Sequence, residues 1–266
     1  MLRESLFLSS ILLNSEAWVN YSDKDVRILE QCDEILLTKI LDCDANTSNA
    51  LKYLELGIFP VRFEIMRRKI AFLQYILKED KNSMIYQILK ATEEKPIKND
   101  FVTTCQKYLK KLDINLSFEE IGKMSKFSLK KVLREKTNIA AYKYLTAQKS
   151  KQTKILDMEY SKLEMQAYLA DGDRDNRVSR LIFKARGKTL DIKMQKRWKY
   201  DDTLCTGCGK NEETGQEILM CDELSENPQN ISYSWFYKQL VSDQVSAAKV
   251  MMKKLKLREK LREEVT

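Results

Sequence analysis

The chain has 266 residues, with 47 basic residues against 39 acidic ones and no histidine, so that its formal net charge is +8. Seven glycines and three prolines are too few for a β-sandwich or barrel, which needs a turn about every ten residues, and an all-α fold is predicted instead. The absence of histidine excludes Ser-His-Asp and Cys-His catalysis and a histidine-ligated hydrolytic zinc. The positive charge makes nucleic acid or an acidic surface the first partner to consider, with a generically basic protein as the alternative.

Apolar residues recur at helical spacing along the first third of the chain. Helices are predicted over 6–13, 22–41, 51–56, 60–77 and 83–89. Gly57 suits a left-handed helix end, Pro60 suits the first position of a helix, and Ser83 suits an N-cap. No segment approaches the roughly 20 apolar residues of a membrane span, so no membrane contact is expected.

A polar segment over 93–100, with Pro96, is predicted to be a linker, and further helices follow it. Ser117 and Glu120 form a capping-box pattern for a short helix, and Ser125 or Ser128 begins a longer one that reaches about Lys149. Helices are also predicted over 101–112, 161–169, 176–186 and 232–264. The last of these carries a basic cluster of Lys253, Lys254, Lys256, Arg258, Lys260 and Arg262.

A second basic stretch lies between residues 184 and 199 and holds a single acid, Asp191. Basic side chains neutralise phosphates, and aromatic rings stack on unpaired bases, so the stretch predicts a nucleic-acid contact. An acidic segment follows directly, and the alternative is that the basic side chains pair with it. The candidate binding residues are Lys184, Arg186, Lys188, Lys193, Lys196, Arg197, Trp198 and Lys199. Two other basic runs, 67–69 and 126–134, are expected to form solvated helix faces.

Three of the six cysteines have the spacing of a small zinc knuckle: Cys205, Cys208 and Cys221. Zinc prefers four tetrahedral ligands, and the first candidate for the fourth is Glu217, with Asp222 or Glu223 as substitutes. The sequence leaves two possibilities open, a zinc site of three thiolates and one carboxylate or a loop without metal. The other cysteines are scattered singly in apolar patterns, which indicates reduced thiols and an intracellular protein, nuclear or cytoplasmic.

In order along the chain, several segments resemble the C-terminal region of the reverse-transcriptase polyprotein of non-LTR (LINE-type) retrotransposons. They are residues 2–6, 14–18, 53–62, 181–186 and 199–202, followed by Cys205, Cys208-Gly209 and Glu213-Thr214. The resemblance covers residues 1 to about 225. It implies a thumb-like helical region over 1–94, a helical connector with a basic end over 95–200, a knuckle-like lobe over 201–224 and basic helices over 225–266.

The resemblance also implies a Cys-Cys-His-Cys knuckle that helps to hold template RNA and target DNA. The cysteines of the family correspond to Cys205, Cys208 and Cys221, and its histidine corresponds to Glu217. The chain contains no catalytic motif, because Tyr200-Asp201-Asp202 lacks the residue that separates tyrosine from the acids in a polymerase palm. A non-catalytic reverse-transcriptase fragment that binds RNA or DNA is therefore predicted, with a helical protein-interaction module without a nucleic-acid role as the alternative. An enzyme of another type is the weakest hypothesis.

Overall fold

The computed structural model describes residues 3–19, 22–148, 162–170, 176–187, 189–225, 239 and 243–265. Within these ranges the fold is helical and contains no β-strand beyond one antiparallel bridge between Leu204 and Glu212. The prediction of an all-α fold with a cysteine cluster near the C-terminus is confirmed. No helix in the described part of the chain combines the length and the apolar character that a membrane crossing requires.

The described residues form twelve α-helices, α1 to α12 in chain order. They are α1 Ser9–Ile11, α2 Asp23–Leu41, α3 Asn49–Leu56, α4 Val61–Lys78, α5 Met84–Glu94, α6 Phe101–Lys111, α7 Phe118–Lys123, α8 Lys126–Ala147, α9 Ala167–Ala170, α10 Asn176–Arg186, α11 Gly215–Met220 and α12 Gln244–Val265. A π-helical turn, Arg3–Leu8, precedes α1, and 3₁₀ turns cover Arg197–Lys199 and Asp222–Leu224.

The chain divides into two compact units. Unit 1 consists of Met1–Leu37, Gly57–Lys149 and Glu159–Glu164, and unit 2 consists of Thr38–Leu56, Ser150–Met158 and Met165–Thr266. Unit 2 contains the cysteine cluster and the basic stretch over 184–199, so it carries both sites that the sequence predicts.

In unit 1, α4 is the central helix and packs against α6, α7 and α8. Its apolar positions recur every three or four residues, and Ile65, Ile70 and Leu73 are fully buried. The predicted capping box is confirmed: the hydroxyl of Ser117 accepts from the Glu120 amide at 3.2 Å, and a Glu120 carboxylate oxygen accepts from the Ser117 amide at 2.7 Å. Local sequence signals therefore set the ends of the helices that surround α4.

In unit 2, the apolar core joins α10, the cysteine lobe and α12. Ile192, Ile218 and Leu224 are fully buried there, together with Ala247 and Met251 from α12. Residues 232–238 and 240–242 of the predicted C-terminal helical segment lie outside the described residues, and α12 covers the segment from residue 244 onward. The lobe thus packs directly against the last helix.

Candidate metal centre and nucleic-acid interface

The first two cysteines of the lobe lie on one tight turn. The Cys205 amide donates to the Asn211 carbonyl at 2.7 Å, and the Gly209 amide donates back to the Cys205 carbonyl at 2.8 Å. Gly209 has a φ of 64°, a left-handed conformation that favours glycine. A Cβ on Gly207 would lie 3.0 Å from the Cys221 sulfur, so a side chain there would crowd the cluster.

The other two residues of the cluster come from α11. The Thr214 hydroxyl caps this helix by accepting from the Glu217 amide at 3.0 Å, and Cys221 follows the last residue of the helix. One ligand atom from each of Cys205, Cys208, Glu217 and Cys221 lies within 4.8 Å of all the others. These four residues could hold a metal ion. Asp222 and Glu223, the substitutes considered for Glu217, are exposed and lie outside the cluster.

Neighbouring groups orient the Glu217 carboxylate toward the thiols. The Cys208 thiol lies 3.3 Å from Glu217 Oε1, and the Asn211 side-chain amide donates to Oε2 at 3.1 Å. Burial raises the pKa of the Cys205 thiol to about 12; the amides of Cys208 and Gly207 act against this rise, and the nearby Cys221 adds to it. The thiol therefore stays protonated near pH 7 unless a cation is bound beside it.

A buried carboxylate, Glu213, ties the lobe to the rest of unit 2. It is 0% exposed, and one oxygen accepts from the amide and the hydroxyl of Thr206, at 3.1 and 2.7 Å. The other oxygen accepts from the Lys193 amide at 2.9 Å and lies 2.7 Å from a guanidinium nitrogen of Arg258, on α12. The lobe, the basic stretch and α12 therefore meet at one side chain.

These contacts favour the ionised form of the Glu213 carboxylate. Burial alone would raise its pKa, but Arg258, Thr206 and Lys193 outweigh burial and hold the pKa below its ordinary value of 4.5. A carboxylate with a depressed pKa stabilises the fold above about pH 4.5, and this contribution is lost as the pH falls through the lowered value. The sequence does not single out Glu213 as a buried ion-pair partner, because several acids surround it there and Arg258 is distant along the chain.

The basic stretch does not form one exposed surface. Arg186 is buried and its Nε donates to Glu55 at 2.7 Å, while Lys196 is buried and lies 2.7 Å from Asp44. Lys193 pairs with Asp202 at 2.8 Å. Lys184 lies 3.6 Å from Asp42. Lys188 lies outside the described residues.

The acids that pair with this stretch therefore come mostly from residues 42–55, which are distant in sequence. The acidic segment beside the stretch contributes Asp202, and the predicted alternative of local pairing accounts for only that ion pair. Lys199 forms a longer ion pair, with its Nζ 3.5 Å from a carboxylate oxygen of the exposed Asp191.

The remaining candidates form an exposed turn. Arg197, Trp198 and Lys199 make up the 3₁₀ turn, all three are exposed, and Trp198 is 71% exposed. The turn is closed by its own backbone hydrogen bond and is followed by an anchored tyrosine. The Lys199 amide donates to the Lys196 carbonyl at 2.8 Å. The guanidinium of Arg262 lies over the ring of the next residue, Tyr200, at 5.0 Å from the ring centroid.

The basic residues of α12 separate into two faces. Lys254 and Arg258 are buried: Lys254 donates to the Cys221 carbonyl at 2.8 Å, and Arg258 donates to the Asp191 carbonyl at 2.9 Å. Spacings of four, three and four residues place a different set on the opposite, exposed face. This α12 lysine stripe consists of Lys249, Lys253, Lys256 and Lys260.

Comparisons of the chain with models of known protein families, with curated proteins and with solved structures find no match. The likeness to non-LTR reverse transcriptases therefore remains a prediction from the motifs given above.

Replacing Arg186 tests whether this candidate residue is structural. Arg186→Ala leaves Glu55 buried without its cation and should lower the stability of unit 2 by about 3–5 kcal/mol. Native-state hydrogen exchange of α10 measures this loss. Arg197→Ala, at an exposed site in the same stretch, is the control and should change stability by less than about 0.5 kcal/mol. Equal effects of the two variants would contradict the assignment.

Proposed function

We propose that the chain is a non-catalytic nucleic-acid-binding protein whose unit 2 contacts template RNA or target DNA and holds zinc in the cysteine lobe. The resemblance to non-LTR reverse transcriptases supplies the substrate class. The observation that carries the proposal is the exposed turn in which Trp198 lies between two cations, Arg197 and Lys199.

An exposed indole beside two cations suits unpaired nucleotides. Stacking of a base on an aromatic ring contributes roughly 1–3 kcal/mol, and the flanking cations attract the phosphates on either side. The paired residues of the stretch support this role indirectly. Lys196, held by Asp44, and Lys193, whose amide is held by Glu213, fix the backbone from which the turn projects.

The α12 lysine stripe is a second positively charged surface that suits the phosphates of a nucleic acid. Lys249 and Lys260 are separated by about 16 Å along the helix axis at 1.5 Å per residue. All four side chains are exposed, and none of them forms an ion pair with another of the described residues. Such a row can neutralise several phosphates without reading sequence.

Zinc fits the donor set of the lobe. Three thiolates favour a borderline-soft ion over magnesium or calcium, which prefer oxygen ligands. In a tetrahedral site with bonds of about 2.3 Å, the ligand atoms lie roughly 3.8 Å apart, so the cluster would contract by up to about 1 Å. A bound ion would fix α11 against the turn that holds Cys205 and Cys208. This link would make the lobe, which also contains Thr206 and Glu213, more rigid.

Changing the fourth ligand tests the zinc site. Glu217→His should strengthen zinc binding by at least about tenfold, because it converts the site to the Cys₃His set common in structural zinc proteins. Glu217→Ala should weaken binding, since it removes one ligand. Competition with a chromophoric chelator measures both affinities. If Glu217→Ala binds zinc as tightly as the parent protein, the carboxylate is not a ligand.

Removing the indole tests the nucleic-acid contact. Trp198→Ala should weaken binding of a fluorescein-labelled single-stranded RNA by about 1–3 kcal/mol, which is roughly 5- to 150-fold in Kd. Fluorescence anisotropy at fixed salt measures the change. Phe127→Ala is the matched control, because Phe127 is an equally exposed aromatic residue, 78% exposed, in unit 1. The proposal fails if the two variants bind RNA alike.

Removing lysines from the stripe tests whether they neutralise phosphates. The triple variant Lys253→Ala/Lys256→Ala/Lys260→Ala should reduce the slope of log K against log salt by about 0.7 for each phosphate of a single strand that it no longer neutralises. Titrations at several salt concentrations give the slope. The triple variant Lys130→Ala/Lys131→Ala/Arg134→Ala on α8 removes the same amount of charge and should leave the slope unchanged.

A further inference from the structure

A groove with a volume of about 540 Å³ runs along unit 1 between α4 and α8. Every side chain that lines it comes from these two helices or from Glu79, which directly follows α4. All of its lining residues belong to unit 1, and the proposed function makes no use of it.

The floor of the groove is apolar and is formed by side chains of both helices. Leu129 and Leu133 of α8 lie at its base and are almost fully buried, with 1% and 2% of their surfaces exposed. The accessible apolar surface therefore comes mainly from α4, where Tyr75 is 54% exposed. Ala71, one turn before Tyr75, is exposed at the centre of the α4 wall, where its small side chain permits close approach of a backbone. The wall from Arg67 to Lys78 is about 16 Å long, or three helical turns.

The rim is strongly positive. Five cations line the groove against the single carboxylate of Glu79: Arg67, Arg68, Lys78, Lys126 and Lys130. Glu64 offsets part of the charge at one end, because it pairs with Arg67 at 2.9 Å and with Arg68 at 3.3 Å. Lys126 and Lys130 are exposed one turn apart on α8, and no carboxylate of the described residues lies within 4 Å of either.

We propose that this groove binds an acidic amphipathic α-helix of a partner protein. The partner would place apolar side chains on Ala71 and Tyr75, above the buried Leu129 and Leu133, and carboxylates against the lysines and arginines of the rim. Charge complementarity selects an acidic occupant. A protein occupant is favoured over a nucleic acid because bases stack on free aromatic faces, and Tyr75, the one aromatic lining residue in the described part of the chain, already stacks one face on Phe72 with the ring centroids 5.9 Å apart.

The test uses the full chain and a designed probe. The probe is a fluorescein-labelled helical peptide of about 16 residues with leucines at i, i+3, i+4 and i+7 and glutamates on the flanks. A second peptide has the same composition with the leucine spacing scrambled, and a third replaces glutamate by lysine. Fluorescence anisotropy should show binding of the first peptide alone, and binding should weaken as salt is raised.

Two variants separate shape from charge. Ala71→Arg fills the centre of the groove but keeps its positive charge, and it should weaken peptide binding by at least about tenfold. Lys126→Glu/Lys130→Glu reverses the rim and should weaken binding by a similar factor. The control Lys131→Glu/Arg134→Glu makes the same change in net charge at exposed positions of α8 outside the groove and should bind normally. If Ala71→Arg lowers the helical circular dichroism signal and so fails to fold, the comparison of Lys126→Glu/Lys130→Glu with the control Lys131→Glu/Arg134→Glu tests the proposal.

Several outcomes would overturn the proposal. They are absence of binding by the designed peptide, equal binding of the scrambled peptide, and equal weakening by the control variant. Displacement of the peptide by single-stranded RNA, with Ala71→Arg weakening RNA binding as strongly, would make the groove a nucleic-acid site instead. Self-association of the parent protein that Ala71→Arg abolishes would make it an interface between copies of this chain.

Discussion

The ion pair between Glu213 and Arg258 is the constraint on which unit 2 depends. Glu213 is buried without exposed surface, and a buried carboxylate is tolerated only when it is paired and hydrogen-bonded. Arg258 supplies the countercharge from α12, and the amides and hydroxyl around Glu213 come from the lobe and from Lys193. Removing either charge would leave the other one buried alone, which is far more unfavourable than losing a surface ion pair. The position of α12 against the cysteine lobe therefore rests on this carboxylate.

This constraint also explains how positive charge is used in unit 2. Some basic residues are buried against acids: Arg258 pairs with Glu213 and Arg186 with Glu55, both fully buried, and Lys196 pairs with the half-exposed Asp44. Those residues give the unit its shape, and a phosphate would have to displace an acidic partner to reach them. The exposed turn at Trp198 and the α12 lysine stripe carry the charge that remains available to a ligand. Net charge alone does not distinguish these two uses.

Local patterns in the sequence predicted much of the fold. The capping box at Ser117, the left-handed Gly57 with φ of 62° and the serine cap of α5 follow from short-range backbone chemistry. The cluster of three cysteines and Glu217, which could hold a metal ion, was also predictable, including Glu217 in preference to Asp222, because a spacing of four residues brings Glu217 and Cys221 together.

The buried ion pairs were not predictable from the sequence. Arg186 and Arg197 belong to one basic run, but one pairs with Glu55 in the interior and the other is exposed. The difference arises from the fold, because Glu55 of α3, which is distant along the chain, lies beside Arg186 of α10. The lysines of α12 also divide into a buried residue, Lys254, and an exposed stripe. Helical spacing assigns them to different faces of the helix but does not show which face packs against the lobe.

The most direct test of the account is photo-cross-linking of the full chain to single-stranded RNA that contains 4-thiouridine, followed by mass spectrometry of the cross-linked peptides. Cross-links are expected at Trp198 and its neighbours and along the exposed face of α12, with Arg186 and Lys196 unmodified. Cross-links confined to unit 1, or a protein that forms none at low salt, would contradict it.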